Sequence, residues 1–368
     1  RKSLANRPCS LESMVRGRFW SGKRVFLTGH TGFKGGWLAL WLKELGANIY
    51  GYALPPPTDP SLFETARIGE TLHSITGDIR DSDALETAAS KANPDIIFHL
   101  AAQPLVSEGY SDPVGTYASN VTGTLNLLQA ARKLDNLRAI VVVTTDKCYE
   151  NRESSHAYRE GDPLGGYDPY SSSKACAEIL THSWRRSFFS SPGSPGIATA
   201  RAGNVIGGGD WADKRLIPDI LRAFSTRSPA LLRHPEAVRP WQHVLEPLAG
   251  YLLLAEELCT NALLPSAWNF GPELEDCVAA SAVADAMASL WPEPATWQGT
   301  TSGIPHEAGL LRLDASLAKE KLQWHSKWSL KEALRQTVNW QLAWRRDEDM
   351  QAVSLDQIRC YSQQPHEK

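Results

Sequence analysis

Thr145-Asp146-Lys147 is followed, 23 residues past the lysine, by Tyr170-Ser171-Ser172-Ser173-Lys174. A tyrosine four residues before a lysine on a helix puts both side chains on one face. The lysine charge lowers the phenol pKa and favours the phenolate. A threonine just upstream can hydrogen-bond the same substrate hydroxyl. Together the three can take a proton from an alcohol while its hydride leaves for an acceptor. Asp146 and Lys147 add an acid and a base that alcohol oxidation alone does not need. They point to a reaction that continues past the ketone. An ordinary polar strand end would also hold such a pair, but Tyr170 and Lys174 weigh against that reading.

These residues need a scaffold. Arg24–Thr28 is a short apolar run ending in glycine, the pattern of a buried parallel strand. Residues 35–45 carry an apolar helix face closed by Gly46. Strand signals recur at 48–54, 72–76, 96–100, 139–145 and 197–202, and helical patterns fill 83–92, 114–132 and 170–186. Strands alternating with helices predict an α/β fold, a Rossmann-like doubly wound parallel sheet. After about residue 203 the rhythm breaks at Gly207-Gly208-Gly209-Asp210 into shorter, Trp- and Pro-rich pieces. The expected division is an extension over 1–18, a cofactor domain over 19–203, a smaller substrate-binding lobe mainly over 204–348, and a polar, frayed tail over 349–368.

Between the first strand and its helix lies Gly29-His30-Thr31-Gly32-Phe33-Lys34-Gly35-Gly36. Glycines in a strand–turn–helix context permit a tight turn and close approach of backbone to a pyrophosphate. The loop predicts dinucleotide binding by Gly29, His30, Thr31, Gly32, Phe33, Lys34 and Gly35. Lys34 either reaches a phosphate or is a solvated surface lysine. Tyr50-Gly51-Tyr52-Ala53, ending the second strand, offers neither an acid for an NAD ribose nor an arginine for a 2′-phosphate. The residues leave NAD and NADP open. A cofactor reoxidised within each turnover needs no separate redox pool, which favours NAD. Asp78 can accept from an adenine amino group while Ile79 packs on the ring, although a plain strand-end turn reads the same way. Ala101 and Ala102 let backbone pass close to a cofactor. Asn120, inside a helical stretch, has either a polar task or a solvent-facing position.

The bulk composition excludes other classes. A net charge of −3 shows no basic excess, so nucleic acid is not an expected partner. No apolar run approaches the roughly 20 residues of a membrane span, and the first residues lack the apolar stretch of a signal peptide. The 6 cysteines are scattered without a Cys-x-x-Cys, which predicts reduced thiols in a cytoplasmic protein and no metal site. Most of the 13 tryptophans are expected in the core or between lobes.

In sequence order these segments resemble the extended short-chain dehydrogenase/reductase family. Thr28-Gly-His-Thr-Gly-Phe-Lys-Gly-Gly-Trp37, Thr145-Asp-Lys-Cys-Tyr-Glu-Asn151, Gly165-Gly-Tyr-Asp-Pro-Tyr-Ser-Ser-Ser-Lys174, Gly203-Asn-Val-Ile-Gly-Gly-Gly-Asp-Trp211 and Arg239-Pro-Trp-Gln-His243 resemble its CDP-glucose 4,6-dehydratases. The resemblance implies NAD as cofactor and CDP-glucose as substrate. It also implies hydride removal at C4, loss of water across C5–C6 and hydride return to C6. Tyr170 would take the C4 hydroxyl proton, Lys174 would hold the nicotinamide ribose, and Thr145 would orient the C4 oxygen. Asp146 would act as acid and Lys147 as base. Asn204, Arg215, Arg239, Asn269 and Glu307 would contact the nucleotide sugar. Arginine suits a diphosphate because its fork bonds two oxygens. The family also implies pairing through the helices over 114–132 and 170–186, as a homodimer or a dimer of dimers. One departure is Glu150–Tyr158, more polar than the tryptophan-containing stretch expected there. Two other readings remain: a 4-epimerase of the same fold, which has no use for Asp146 and Lys147, and a non-catalytic nucleotide sensor.

Overall fold

The structure, a computed structural model, describes residues 15–300 and 309–363. Its large sheet begins with β1 (Arg24–Thr28), β2 (Asn48–Ala53), β3 (His73–Thr76), β4 (Ile96–His99), β5 (Ala139–Val143) and β6 (Gly196–Ala202). The smaller lobe is built from β7 (Asn204–Ile206), β8 (Ala230–Leu232), β9 (Val238–His243), β11 (Cys277–Ala279) and β12 (Trp297–Gly299), with β10 (Ala267–Phe270) between them in sequence. The large sheet is parallel throughout, in the order β10-β6-β5-β4-β1-β2-β3. Every residue of β4, β5 and β6 is buried, as expected where helices cover both faces.

The expected strands are present within a residue or two. Their interleaved helices are Phe33–Glu44, Ser82–Ala92, the segmented run from Pro113 to Ala131, and Pro169–Phe188. The helix after the glycine loop starts at Phe33 rather than at residue 35, because Gly32 already has extended backbone and serves as its N-cap. The run over 114–132 is not uniform. A π turn at Ala118–Thr122 interrupts it and turns Asn120 into the protein.

Two expectations about the second half are corrected. The large lobe does not end near residue 203, because β10 returns to pair with β6 as its edge strand. The helix Leu245–Thr260 and the buried Trp324, Trp328 and Trp340 join the same core as Val25, Leu38 and Val141. Nor is the described part of the tail frayed. Residues Met350–Gln363 form a helix whose Met350, Ile358 and Tyr361 are buried in that core. Polar residues on its outer face masked this in the sequence.

The smaller lobe has its own core, in which Ile220, Phe224, Trp241, Val283 and Leu334 meet. Its three-stranded sheet runs β11-β9-β7, and β8 pairs with β12.

Glu246 fastens the C-terminal helix. Its buried carboxylate accepts from Trp328 N (2.7 Å), Lys327 N (3.1 Å) and Tyr361 Oη (2.7 Å). Tyr361→Phe removes one donor from a carboxylate that water does not reach. It should lower the unfolding free energy by about 1–3 kcal/mol, measured by urea titration. An unchanged midpoint would show that the hydroxyl contributes nothing.

Candidate active site

Strand order reverses between β1 and β4, and the loops leaving their carboxyl ends open a crevice there. The loop after β1 is drawn tight. Gly29 has φ +80°, and a Cβ on it would lie 2.7 Å from Ala101 N. A Cβ on Gly35 would lie 2.1 Å from Gly29 O. Neither site admits another residue without moving backbone. The Thr28 hydroxyl accepts from Leu100 N and Ala101 N (both 3.2 Å) and bonds His99 Nδ1 (2.8 Å). The two loops are thereby fixed to each other.

Asn120 has the polar task. Its amide nitrogen donates to Gln103 O (3.1 Å) and Ser173 Oγ (2.9 Å), and its oxygen accepts from Gln103 N (2.8 Å). It ties the Ala101–Ala102 loop to the helix bearing Tyr170 and Lys174. Asp78 is held by Arg80 at 2.5 Å, which keeps its carboxyl below the usual range. Ile79 is buried in the core against Gly123, so it is less available to a ring than expected. His30 also turns inward. Its Nε2 bonds Ser74 Oγ (2.8 Å), its ring meets Phe63, and burial lowers its pKa to about 4. Thr31 donates to Leu54 O (2.9 Å), and Phe33 packs on the main core.

The catalytic set converges at the end of β5. Thr145 caps a short turn, Asp146–Cys148, and its hydroxyl donates to Asp146 Oδ1 (2.9 Å). The same hydroxyl accepts from Lys147 N (3.3 Å) and lies close enough to Tyr170 to favour its phenolate. Asp146 is 1% exposed, and its Oδ2 is buried without a partner. Lys147 is half-buried beside it. Lys174 donates to Val143 O (3.2 Å) and is drawn down to about 8 by burial, against the supporting charges of Glu178 and Cys148.

The expected depression of the Tyr170 pKa is not present in the protein's own electrostatics. Burial pushes it up to about 12, opposed by the Thr145 hydroxyl and by Arg215 rather than by Lys174. Desolvation outweighs a lysine that spends its proton on a backbone carbonyl.

Lys34 is not the solvated surface lysine that its loop position allows. It is partly buried, with Nζ 3.4 Å from the Tyr251 hydroxyl. Burial, Lys174 and Arg215 lower it to about 7, while Asp146 opposes. Tyr251, from the helix Leu245–Thr260, was not foreseen, because nothing in a buried helix marks a tyrosine that reaches a site.

The expected substrate residues separate. Arg215 pairs with Asp210 (2.9 Å) and faces Tyr170 and Lys34. Arg239 is buried on β9, with Nη1 donating to Val238 O (3.0 Å). Asn204 opens β7, with Oδ1 buried and unpartnered. Asn269 is corrected. It is fully buried, its amide donates to Tyr158 O (2.8 Å) and Asp314 O (3.1 Å), and its oxygen accepts from Tyr149. Those bonds occupy it within the fold. Glu307 lies outside the described residues. Arg312, also unforeseen, carries a buried Nε without a partner, on the segment that bridges to β9 through Leu310 and Val238.

A dinucleotide fits this arrangement. The loop between Gly29 and Gly35 leaves backbone N–H groups at a helix N-terminus uncovered by any side-chain cap. No group of acidic, histidine and cysteine residues among the described residues could hold a metal.

The chain belongs to the NAD dependent epimerase/dehydratase family, whose model matches residues 25–269. It is 50% identical to a CDP-glucose 4,6-dehydratase of Salmonella typhimurium, over 95% of this chain and 98% of that one. A dTDP-glucose 4,6-dehydratase of Mycolicibacterium smegmatis is 29% identical over 60% of this chain and 65% of its own. Among solved structures, the epimerase Mth375 of Methanothermobacter thermautotrophicus shares the fold with a TM-score of 0.77 at 21% identity, covering 90% of this chain and 96% of that one. The dTDP-glucose 4,6-dehydratase of Bacillus anthracis in complex with NAD has a TM-score of 0.72 at 18% identity, covering 89% and 99%.

Two outcomes are expected. Gly35→Ala should weaken NAD binding at least about tenfold by displacing loop backbone, read by fluorescence titration. Unaltered affinity would show that the loop can give way. Lys34 binds its proton more weakly folded (about 7) than unfolded, where it has the ordinary lysine value of 10.5. Between those values the unfolded state holds more protons, so stability rises with pH. Lys34→Met should therefore flatten the rise in unfolding free energy between about pH 7 and 9, read by urea titration at each pH. An unchanged slope would place the ammonium in solvent.

Proposed function

We propose that the chain is a CDP-glucose 4,6-dehydratase, converting CDP-glucose to CDP-4-keto-6-deoxyglucose and water. The observation that carries this reading is the single turn on which Thr145, beside Tyr170, adjoins Asp146 with its unpartnered buried oxygen and Lys147. Oxidation and elimination groups stand within one substrate's reach. The 50% identical relative supports the nucleotide.

The loop from Gly29 to Gly35 would hold NAD, which when bound would supply the acceptor for the C4 hydride and its return to C6. Tyr170 takes the C4 hydroxyl proton while Thr145 orients the oxygen. Lys174 holds the cofactor ribose and keeps its charge beside the phenol. The ketone at C4 makes the C5 proton acidic; Lys147 removes it and returns it to C5 as C6 is reduced, while the proton that Tyr170 takes balances the one Asp146 gives up. Asp146 gives a proton to the departing C6 hydroxyl, which leaves as water. Arg215, Arg239 and Asn204 take the diphosphate and nucleotide.

The chain pairs as a homodimer. Val114 (79% exposed), Ile179 (58%) and Phe188 place apolar surface on the helices expected to pair, and Tyr110 adds to it from the neighbouring helix Val106–Ser111. No helix among the described residues is long and apolar enough to cross a membrane. The free Cys148, Cys176, Cys259, Cys277 and Cys360 suit the reducing cytoplasm.

Incubation with NAD and CDP-glucose, UDP-glucose or dTDP-glucose tests the reading. A keto-deoxy product, which absorbs in alkali, should form from CDP-glucose. Lys147→Ala should slow it about 10²–10⁴-fold and leave NAD binding intact. A C4 epimer without water loss would make the protein an epimerase. Cofactor binding with no turnover of any sugar would make it a sensor. Light scattering should give twice the mass of one chain.

A further inference from the structure

Beneath the catalytic turn lies a charged pair that neither the cofactor loop nor the expected substrate contacts include. Glu178 and Arg201 are 4% and 2% exposed, with Arg201 Nη2 donating to Glu178 Oε2 at 2.7 Å. Glu178 sits one helical turn beyond Lys174 and two beyond Tyr170 on the helix Pro169–Phe188, so the three share a face. Arg201 comes from β6.

Each member also grips one end of the turn. The Thr144 hydroxyl, immediately before Thr145, donates to Glu178 Oε1. The Tyr149 hydroxyl, just after Cys148, accepts from Arg201 Nη1 (2.7 Å), and the guanidinium lies 4.9 Å from the Tyr149 ring centroid. Tyr149 passes the connection on to Asn269 Oδ1 (2.7 Å) on β10. Thr199 Oγ1 donates to Glu178 Oε2 (2.6 Å), and Arg201 Nη1 to Glu160 O (3.2 Å).

We propose that the buried Glu178–Arg201 pair is the positioning device of this active site, holding both ends of the Thr145–Lys147 turn, through Thr144 and Tyr149, against the helix that carries Tyr170 and Lys174. Stability alone is a poor reason for such a pair. Burying two charges costs several kcal/mol per ion, and apolar residues of the same volume often serve as well or better. What apolar residues cannot supply is direction. The pair sets the distance between the group that opens the reaction and the groups that complete it, where a displacement near 1 Å costs about a hundredfold in rate. For its kinetic consequence the proposal rests on the dehydratase reading.

The test uses variants that leave both charges paired. Tyr149→Phe and Thr144→Val each cut one link, and Thr144→Ser keeps the hydroxyl. Steady-state turnover of CDP-glucose is measured with NAD affinity and amide hydrogen exchange at Lys147 and Cys148, whose N–H groups bond within the turn. In both cut variants kcat should fall at least about tenfold, with KM and NAD affinity within about twofold. Exchange at the two amides should quicken, and Thr144→Ser should retain wild-type values. Unchanged kcat and exchange in both cut variants would overturn the proposal. So would a loss of NAD affinity equal to the loss of rate, which marks general disruption. A wild type inert toward CDP-glucose would overturn the dehydratase reading instead. The exchange data then decide alone: quickened exchange upholds the device, and unchanged exchange removes it.

Discussion

All strands of the large sheet run in one direction, so each delivers its following loop to the same edge. The position of the site depends on this. The glycine loop follows β1, the alanine loop follows β4, the catalytic turn follows β5, and the junction to the smaller lobe follows β6. Because the order reverses at β1 and β4, the first two loops part and leave a crevice. The helix after the catalytic turn returns along the sheet and brings Tyr170 and Lys174 back to the end of β5. Residues far apart in sequence meet because parallel pairing leaves their loops nowhere else to go.

Burial at that edge governs the site's charges. Lys34, Lys174 and Arg215 face one another around Tyr170 and the acidic Asp146. Removing lysines from water makes their charged forms costly, which lowers Lys34 and Lys174 together. Excess positive charge in a dry crevice suits a ligand with phosphates. The same dryness leaves Asp146 Oδ2 without a protein partner, an arrangement that costs stability and is tolerated where a substrate group completes it.

The scaffold was legible because its signals are local. Apolar runs such as Arg24–Thr28, the glycine loop, and the four-residue interval between Tyr170 and Lys174 each report on a few consecutive residues. The chemistry of the turn after β5 was legible for the same reason. What escaped depends on contacts distant in sequence. Asn269 reads as a polar residue near a site, yet its partners are Tyr149, Tyr158 and Asp314. Lys34 reads as a loop lysine until the Tyr251 hydroxyl, more than two hundred residues on, is found beside it. The C-terminal helix looked frayed because its anchor, Glu246, lies on another element.

The return of the chain to the large sheet also bears on how the protein is made. On the ribosome, β6 emerges well before its outer neighbour β10, with β7, β8 and β9 synthesised in between. Until Ala267–Phe270 has left the exit tunnel, β6, whose every residue is buried in the finished protein, presents an unpaired edge to the cell. Vectorial folding thus stalls on an incomplete sheet while the smaller lobe is being threaded through. A nascent chain of this design invites chaperone capture in that interval, and a gene fragment ending at the apparent domain boundary would yield a sticky, unfinished sheet.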